Sequence, residues 1–197
     1  MSTAVSPDLS YPIGKFEYAG SSTPEQRVQY IREIEETPAR LREAIRGLNE
    51  QQLNTPYRPS GWTVRQVVQH FPESHMNAYI RFKLGLTEDN PTIKPYNEKR
   101  WSETPDVATT PLDVSLALLE NVHKRWVILL RALTPSDLAR TIVHPEYGTS
   151  LSLDRYLAMY AWHGKHHVAH ITSLRERNAW QVLTDRNGDA FAAPFPF

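Results

Sequence analysis

The chain contains no cysteine. That excludes disulfides, thiolate metal ligands and a cysteine nucleophile, so any thiol chemistry would need a thiol brought in by a substrate. It also carries no net charge, with 22 basic and 22 acidic residues. Without a basic excess or an evident basic patch, neither nucleic acid nor an anionic membrane surface is expected as its main partner. No apolar run approaches the ~20 residues of a membrane span. The first residues, Met1-Ser2-Thr3-Ala4-Val5-Ser6-Pro7, lack the basic region and apolar stretch of a signal peptide, and a cytoplasmic location is the expectation. There is no internal repeat and no low-complexity tract. What remains, at 197 residues with 40% hydrophobic content, is one domain with a single sizeable core.

Residues 1–23, rich in Ser, Pro and Gly, read as an N-terminal extended segment with a turn at Tyr11-Pro12-Ile13-Gly14. The first helix opens at Thr23-Pro24-Glu25-Gln26, a cap followed by proline at the first helical position, and runs to about Leu48 with a bend expected at Pro38. A connector over 49–62 leads to a second helix, capped by Thr63 with Gln66 three residues on. Val64, Val67, Val68, Phe71, Ala78 and Phe82 form its apolar stripe to about Leu86, and Pro72 should kink it beside His70. Residues 87–111, with four prolines, read as a long ordered loop of the kind that packs on a site. A third helix follows Pro111. Thr141–His144 and Thr149–Ser152 flank Pro145-Glu146-Tyr147-Gly148 as a small hairpin, and a fourth helix spans about Leu153 to Arg177. Four amphipathic helices of ~20–25 residues with such connections predict an all-α fold, a four-helix bundle over 24–178, followed by an irregular C-terminal tail over 179–197.

Four of the eight histidines fall in the last helix: His163, His166, His167 and His170. At about 100° per residue they share roughly a 100° arc of one face. His163 and His167 lie nearer its apolar side, marked by Tyr156, Tyr160, Ile171 and Leu174. Such rings are either edge histidines, hydrogen-bonded or solvated, or metal ligands, and the i, i+4 spacing of His163 and His167 suits one ion, although no His-Glu-x-x-His base is present. Bundle cores build metal sites from facing helices, which makes His70 the candidate third ligand. Three histidines with water in the open position form a catalytic arrangement for zinc, and nickel could substitute. Ser74, Asn77 and Arg81 share His70's side of the second helix. Asn77 and Arg81 are candidates for holding an anionic substrate or a metal-bound water, and His166 and His170 for orienting the ligands. His75, His123 and His144 fit no useful spacing, Trp126 reads as core, and no carboxylate stands out as a general base.

Several segments together resemble the YfiT-like branch of the DinB superfamily. They are Tyr11-Pro12-Ile13-Gly14, Asn54-Thr55-Pro56-Tyr57-Arg58, Gly61-Trp62-Thr63-Val64-Arg65-Gln66-Val67-Val68, Ser74-His75-Met76-Asn77-Ala78-Tyr79-Ile80-Arg81-Phe82-Lys83 and Trp162-His163-x-x-x-His167-x-x-His170-Ile171. The resemblance covers roughly residues 10–180. It implies an up-and-down variant bundle with a long crossover loop, a homodimer, and a nickel- or zinc-type site of three histidines plus water, falling on His70, His163 and His167. It further implies a metal-dependent hydrolase or, as in related branches, an S-transferase that joins a low-molecular-weight thiol such as bacillithiol to electrophiles. A non-catalytic metal-binding stress-response module is the third possibility. At Phe71-Pro72-Glu73 the chain departs from the pattern, where relatives show a smooth helix former.

Overall fold

The computed structural model describes residues 8–180. In chain order the elements are α1 (Pro24–Ile45), α2 (Glu50–Leu53), α3 (Val64–Thr87), α4 (Glu98–Trp101), α5 (Pro105–Thr109), α6 (Leu112–Ala132), α7 (Pro135–Ala139), β1 (Thr141–His144), β2 (Thr149–Ser152) and α8 (Leu153–Arg177). The four long helices α1, α3, α6 and α8 form the expected four-helix bundle, and β1 and β2 pair antiparallel as the expected hairpin, with Thr141 opposite Ser152. The part of the irregular tail beyond Trp180 lies outside the described residues, as do residues 1–7.

Capping chemistry sets the helix starts. Thr23 and Gln26 exchange backbone and side-chain hydrogen bonds at α1, and Thr63 and Gln66 do the same at α3, each pair satisfying two amides that the first turn leaves open. At its other end α1 stops at Ile45, short of Leu48, because Gly47 adopts a left-handed φ of 74°. α3 continues unbroken through Pro72, whose ring is buried. The stretch expected as a loop holds two short helices, α4 and α5, and is tied to the hairpin: Val143 N–H donates to Pro91 O at 2.9 Å and Ile93 N–H to Val143 O at 3.0 Å. That tie buries Ile93.

Among the described residues the bundle has two apolar clusters. One gathers Ile34, Ala78, Phe82, Trp126, Leu130, Tyr156 and Leu157. The other gathers Leu41, Val64, Val68, Phe71, Leu116, Leu119, Ile171 and Leu174. α1 and α8 enter through the first cluster and leave through the second, whereas α3 and α6 run the opposite way. The neighbours α3 and α6 are therefore parallel, which is why 24 residues, 88–111, are needed to cross between them. α1 and α3, consecutive in sequence, take opposite corners, since each packs against α6 and α8 rather than against the other.

Between the two clusters each long helix contributes polar groups: Thr37 from α1, His70, Ser74 and His75 from α3, His123 from α6, and His163 and His167 from α8. Most of these are buried. A layer of imidazoles across an apolar core needs partners for every ring nitrogen, and those partners define the site.

Candidate metal centre

His163 and His167 stand one turn apart on α8, and His70 faces them from α3. One ring nitrogen from each lies within 4.8 Å of the others, and among the described residues no other group of three or more histidines, aspartates or glutamates could hold a metal ion. Ring centroids are 5.5 Å apart for His70 and His163, 5.0 Å for His70 and His167, and 4.5 Å for His163 and His167. Trp62 packs on His70 at 4.7 Å and stacks on His167 at 6.2 Å, and Phe71 meets His163 and His167 edge-on. His70 and His167 are buried, whereas His163 keeps part of its surface open.

Burial among aromatic rings disfavours the charged form of an imidazole. It pushes His70 down to about 4. His163 and His167 are also lowered, by burial first and by the neighbouring imidazoles second. Neutral rings are the state in which histidine binds metal. His70 Nδ1 is also buried with no hydrogen-bond partner among the described residues, an unusual condition for a ring nitrogen unless an ion or water satisfies it. Three converging neutral nitrogens fit a divalent metal ion.

A second tier of histidines backs this set. His75 Nε2 lies 3.1 Å from His163 Nδ1, His75 Nδ1 lies 2.8 Å from His123 Nε2, and His123 Nδ1 lies 2.6 Å from Ile34 O. His75 and His123 stack at 4.8 Å, with Trp126 edge-on to both. These are residues for which spacing offered no use. The signal was a different one: His123 sits in the apolar stripe of α6 between Leu119 and Trp126, and His75 in that of α3 between Phe71 and Ala78. A histidine where the stripe calls for an apolar residue must have a buried partner.

His170 lies in the same tier. Its Nδ1 is 3.3 Å from His167 Nδ1 and its Nε2 is 3.2 Å from Ser10 O, while Tyr57 stacks on the ring at 3.9 Å. His166 is hydrogen-bonded to none of His70, His163 and His167. It stacks on Trp162 at 4.3 Å with Tyr11 at 5.8 Å, and its Nδ1 has no partner among the described residues. His144 closes β1 beside Tyr147 and belongs to neither set. Asn77 donates to Glu73 O on its own helix at 2.8 Å. Arg81 is buried and, among the described residues, its guanidinium reaches only Tyr160 Oη at 3.4 Å and Lys94 O at 3.5 Å. Among the described residues no carboxylate pairs with it. Tyr160 stands between the two regions, its ring 5.5 Å from that of His163.

A sequence profile of the DinB superfamily matches residues 33–171. The chain belongs to the DinB superfamily. It is 57% identical over 173 residues to the protein of Bacillus mycoides strain KBAB4 named "Putative metal-dependent hydrolase", covering 88% of this chain and 99% of that one. A Bacillus cereus strain 03BB102 relative bearing the same name is 57% identical over the same shares. Among solved structures, YfiT of Bacillus subtilis superposes with a TM-score of 0.86 at 49% identity, covering 88% of this chain and 99% of YfiT. It is described as "a probable metal-dependent hydrolase with an unusual four-helix bundle topology". No helix among the described residues is long and apolar enough to cross a membrane.

Proposed function

We propose that this protein is a metal-dependent hydrolase in which His70, His163 and His167 hold a zinc or nickel ion and water is the activated group. The observation that carries the reading is the convergence of three ring nitrogens within 4.8 Å, one of them on a side chain, His163, that still reaches solvent. Structural zinc sites are almost always closed by four protein ligands, whereas three leave a position for water or substrate. When bound, such an ion supplies Lewis acidity, bringing the pKa of water toward ~7. The names of the Bacillus relatives support the same activity.

The chain's own residues do the rest. Trp62 and Phe71 keep water from the apolar side of the ligand rings. Arg81, buried and paired with no carboxylate among the described residues, would receive an anionic group of a small substrate beside Tyr160.

A second reading, a metal-dependent thiol S-transferase, is favoured by one observation: among the described residues no carboxylate joins the histidine cluster. Water needs help with its proton more than a thiol of pKa ≈ 8.5 does. In a chain without cysteine that thiol would be an external low-molecular-weight one.

Elemental analysis of tag-free protein tests the shared premise. About one zinc or nickel per chain is expected, with little in His70→Ala, His163→Ala or His167→Ala, and a metal-free parent after reconstitution overturns both readings. Turnover of a bimane or chloronitrobenzene electrophile only when a thiol is added would favour the transferase. Thiol-independent cleavage of ester or amide substrates would favour the hydrolase.

A further inference from the structure

Two of the three candidate ligands are tied to other histidines, and each tie ends on a backbone carbonyl. A carbonyl oxygen only accepts, so the ring nitrogen facing it carries the proton. The first chain starts at Ile34 O, which fixes His123 as the Nδ1–H form and leaves its Nε2 to accept. His75 Nδ1–H then donates to that nitrogen, and His75 Nε2 becomes an acceptor. His163 Nδ1–H donates to it in turn, which leaves the lone pair of His163 on Nε2. The second chain starts at Ser10 O. His170 Nε2–H donates there, His170 Nδ1 accepts from His167 Nδ1–H, and the lone pair of His167 is likewise on Nε2.

Both chains are built from neutral rings. His75, His123, His167 and His170 are all buried, and among the described residues no carboxylate is hydrogen-bonded to any of the five rings. Neither chain can pass a proton onward, because a carbonyl ends it. They are locks, not relays.

We propose that His75 and His170, with His123 behind the first, are positioning residues that hold His163 and His167 as Nδ1–H tautomers with both Nε2 atoms free as ligands. The inference rests on the metal reading above and adds the groups that prepare the site before any ion arrives. Metal-bound histidines most often lean on carboxylates, backbone carbonyls or water. Neutral rings in that place leave the charge of a divalent ion unopposed, which favours an anionic nucleophile or substrate.

The test is long-range proton–nitrogen NMR on metal-free protein labelled with ¹⁵N-histidine, beside zinc affinity by competition with a chromophoric chelator. In the parent, His163 and His167 should both be protonated on Nδ1. His75→Phe keeps an aromatic ring but removes the acceptor. His163 should then lose its single tautomer and zinc should bind about 10- to 100-fold more weakly. His75→Gln, whose amide oxygen can accept from His163, should restore both. A purely structural role for His75 predicts no tautomer change in either variant, and that result overturns the proposal. So does Nε2–H at His163 or His167 in the parent, which needs no variant to fold. A parent with the expected tautomers that binds neither zinc nor nickel overturns the metal reading instead, and with it the purpose assigned to the locks.

Discussion

Gly164 on α8 faces Thr37 on α1 with no room for a methyl group. A Cβ at Gly164 would come within 2.5 Å of Thr37 Oγ1 and 3.0 Å of Thr37 Cγ2. Thr37 cannot easily yield, being β-branched, buried and bonded through its hydroxyl to Glu33 O at 2.8 Å. Glycine inside a helix ordinarily costs about 1 kcal/mol relative to alanine. Here the close approach of two helices reverses the sign, and Gly164→Ala is expected to destabilise by about 1–3 kcal/mol. Adding Thr37→Ala should recover most of the loss. Urea titration of both singles and the double checks this, and additive effects would refute the contact as the cause.

Asp154, at the start of α8, anchors the segment before α1. Its carboxylate accepts from Tyr18 Oη at 2.7 Å, Ser22 N at 2.8 Å and Arg27 Nε at 2.7 Å. Burial alone would raise its pKa, but the hydrogen bonds from Arg27, Tyr18 and Ser22 outweigh it and hold the carboxyl below the usual range. Asp154→Ala should cost about 2–3 kcal/mol, since three donors lose a charged acceptor together. Residues 8–23 should also become open to limited proteolysis before the bundle unfolds. Unchanged cleavage there would place the anchor elsewhere.

Acid should unfold the metal-free protein early. Burial lowers His70 and His123 to about 4, so between roughly pH 6.5 and 4 the unfolded chain takes up protons that the folded chain refuses. Stability is therefore complete above about pH 6.5 and is lost as pH falls toward 4, by up to about 1.4 kcal/mol per pH unit for each ring. Glu73 works against this: burial, then Asp106, raises it to about 7, and its contribution declines as pH rises from about 4.5 to 7. One half-buried carboxyl is outweighed by two buried imidazoles. The urea midpoint of chelated protein should accordingly fall between pH 7 and pH 5, and a flat profile would mean that the rings are charged in the fold.

Much of this architecture is legible in the sequence, because capping boxes and 3.6-residue stripes act locally. Thr23, Thr63 and the run from Leu153 to Arg177 stand where local rules put them. The convergence of His163 and His167 follows from helical spacing alone. What local rules cannot carry is what lies across the core. His75 and His123 belong to different helices 48 residues apart, and only the packing of α3 on α6 brings their nitrogens to 2.8 Å. The short helices α4 and α5 escape for a different reason. Each has no more than five residues, too few for a period to show, and Pro91, Pro95 and Pro105 mask the rest.

Arg81 offers the sharpest separation of stability from function. Among the described residues no carboxylate pairs with this buried guanidinium, a net cost to the fold because two bonds of 3.4 and 3.5 Å are too long to replace its hydration. Buried ionic groups exchanged for apolar ones of similar size often leave a protein as stable or more so, by about 1–4 kcal/mol. Arg81→Met should therefore raise the urea midpoint, or leave it unchanged, while the metal content stays that of the parent. If the guanidinium awaits an anion, inorganic phosphate should raise the melting temperature of the parent and not that of Arg81→Met, by the mass action that any ligand of the folded state exerts. Variants that gain stability while losing ligand response are the pattern expected of a residue kept for binding. A clear loss of stability in Arg81→Met would instead make Arg81 a structural strut between α3 and α8, and would remove the anionic group from the proposed substrate.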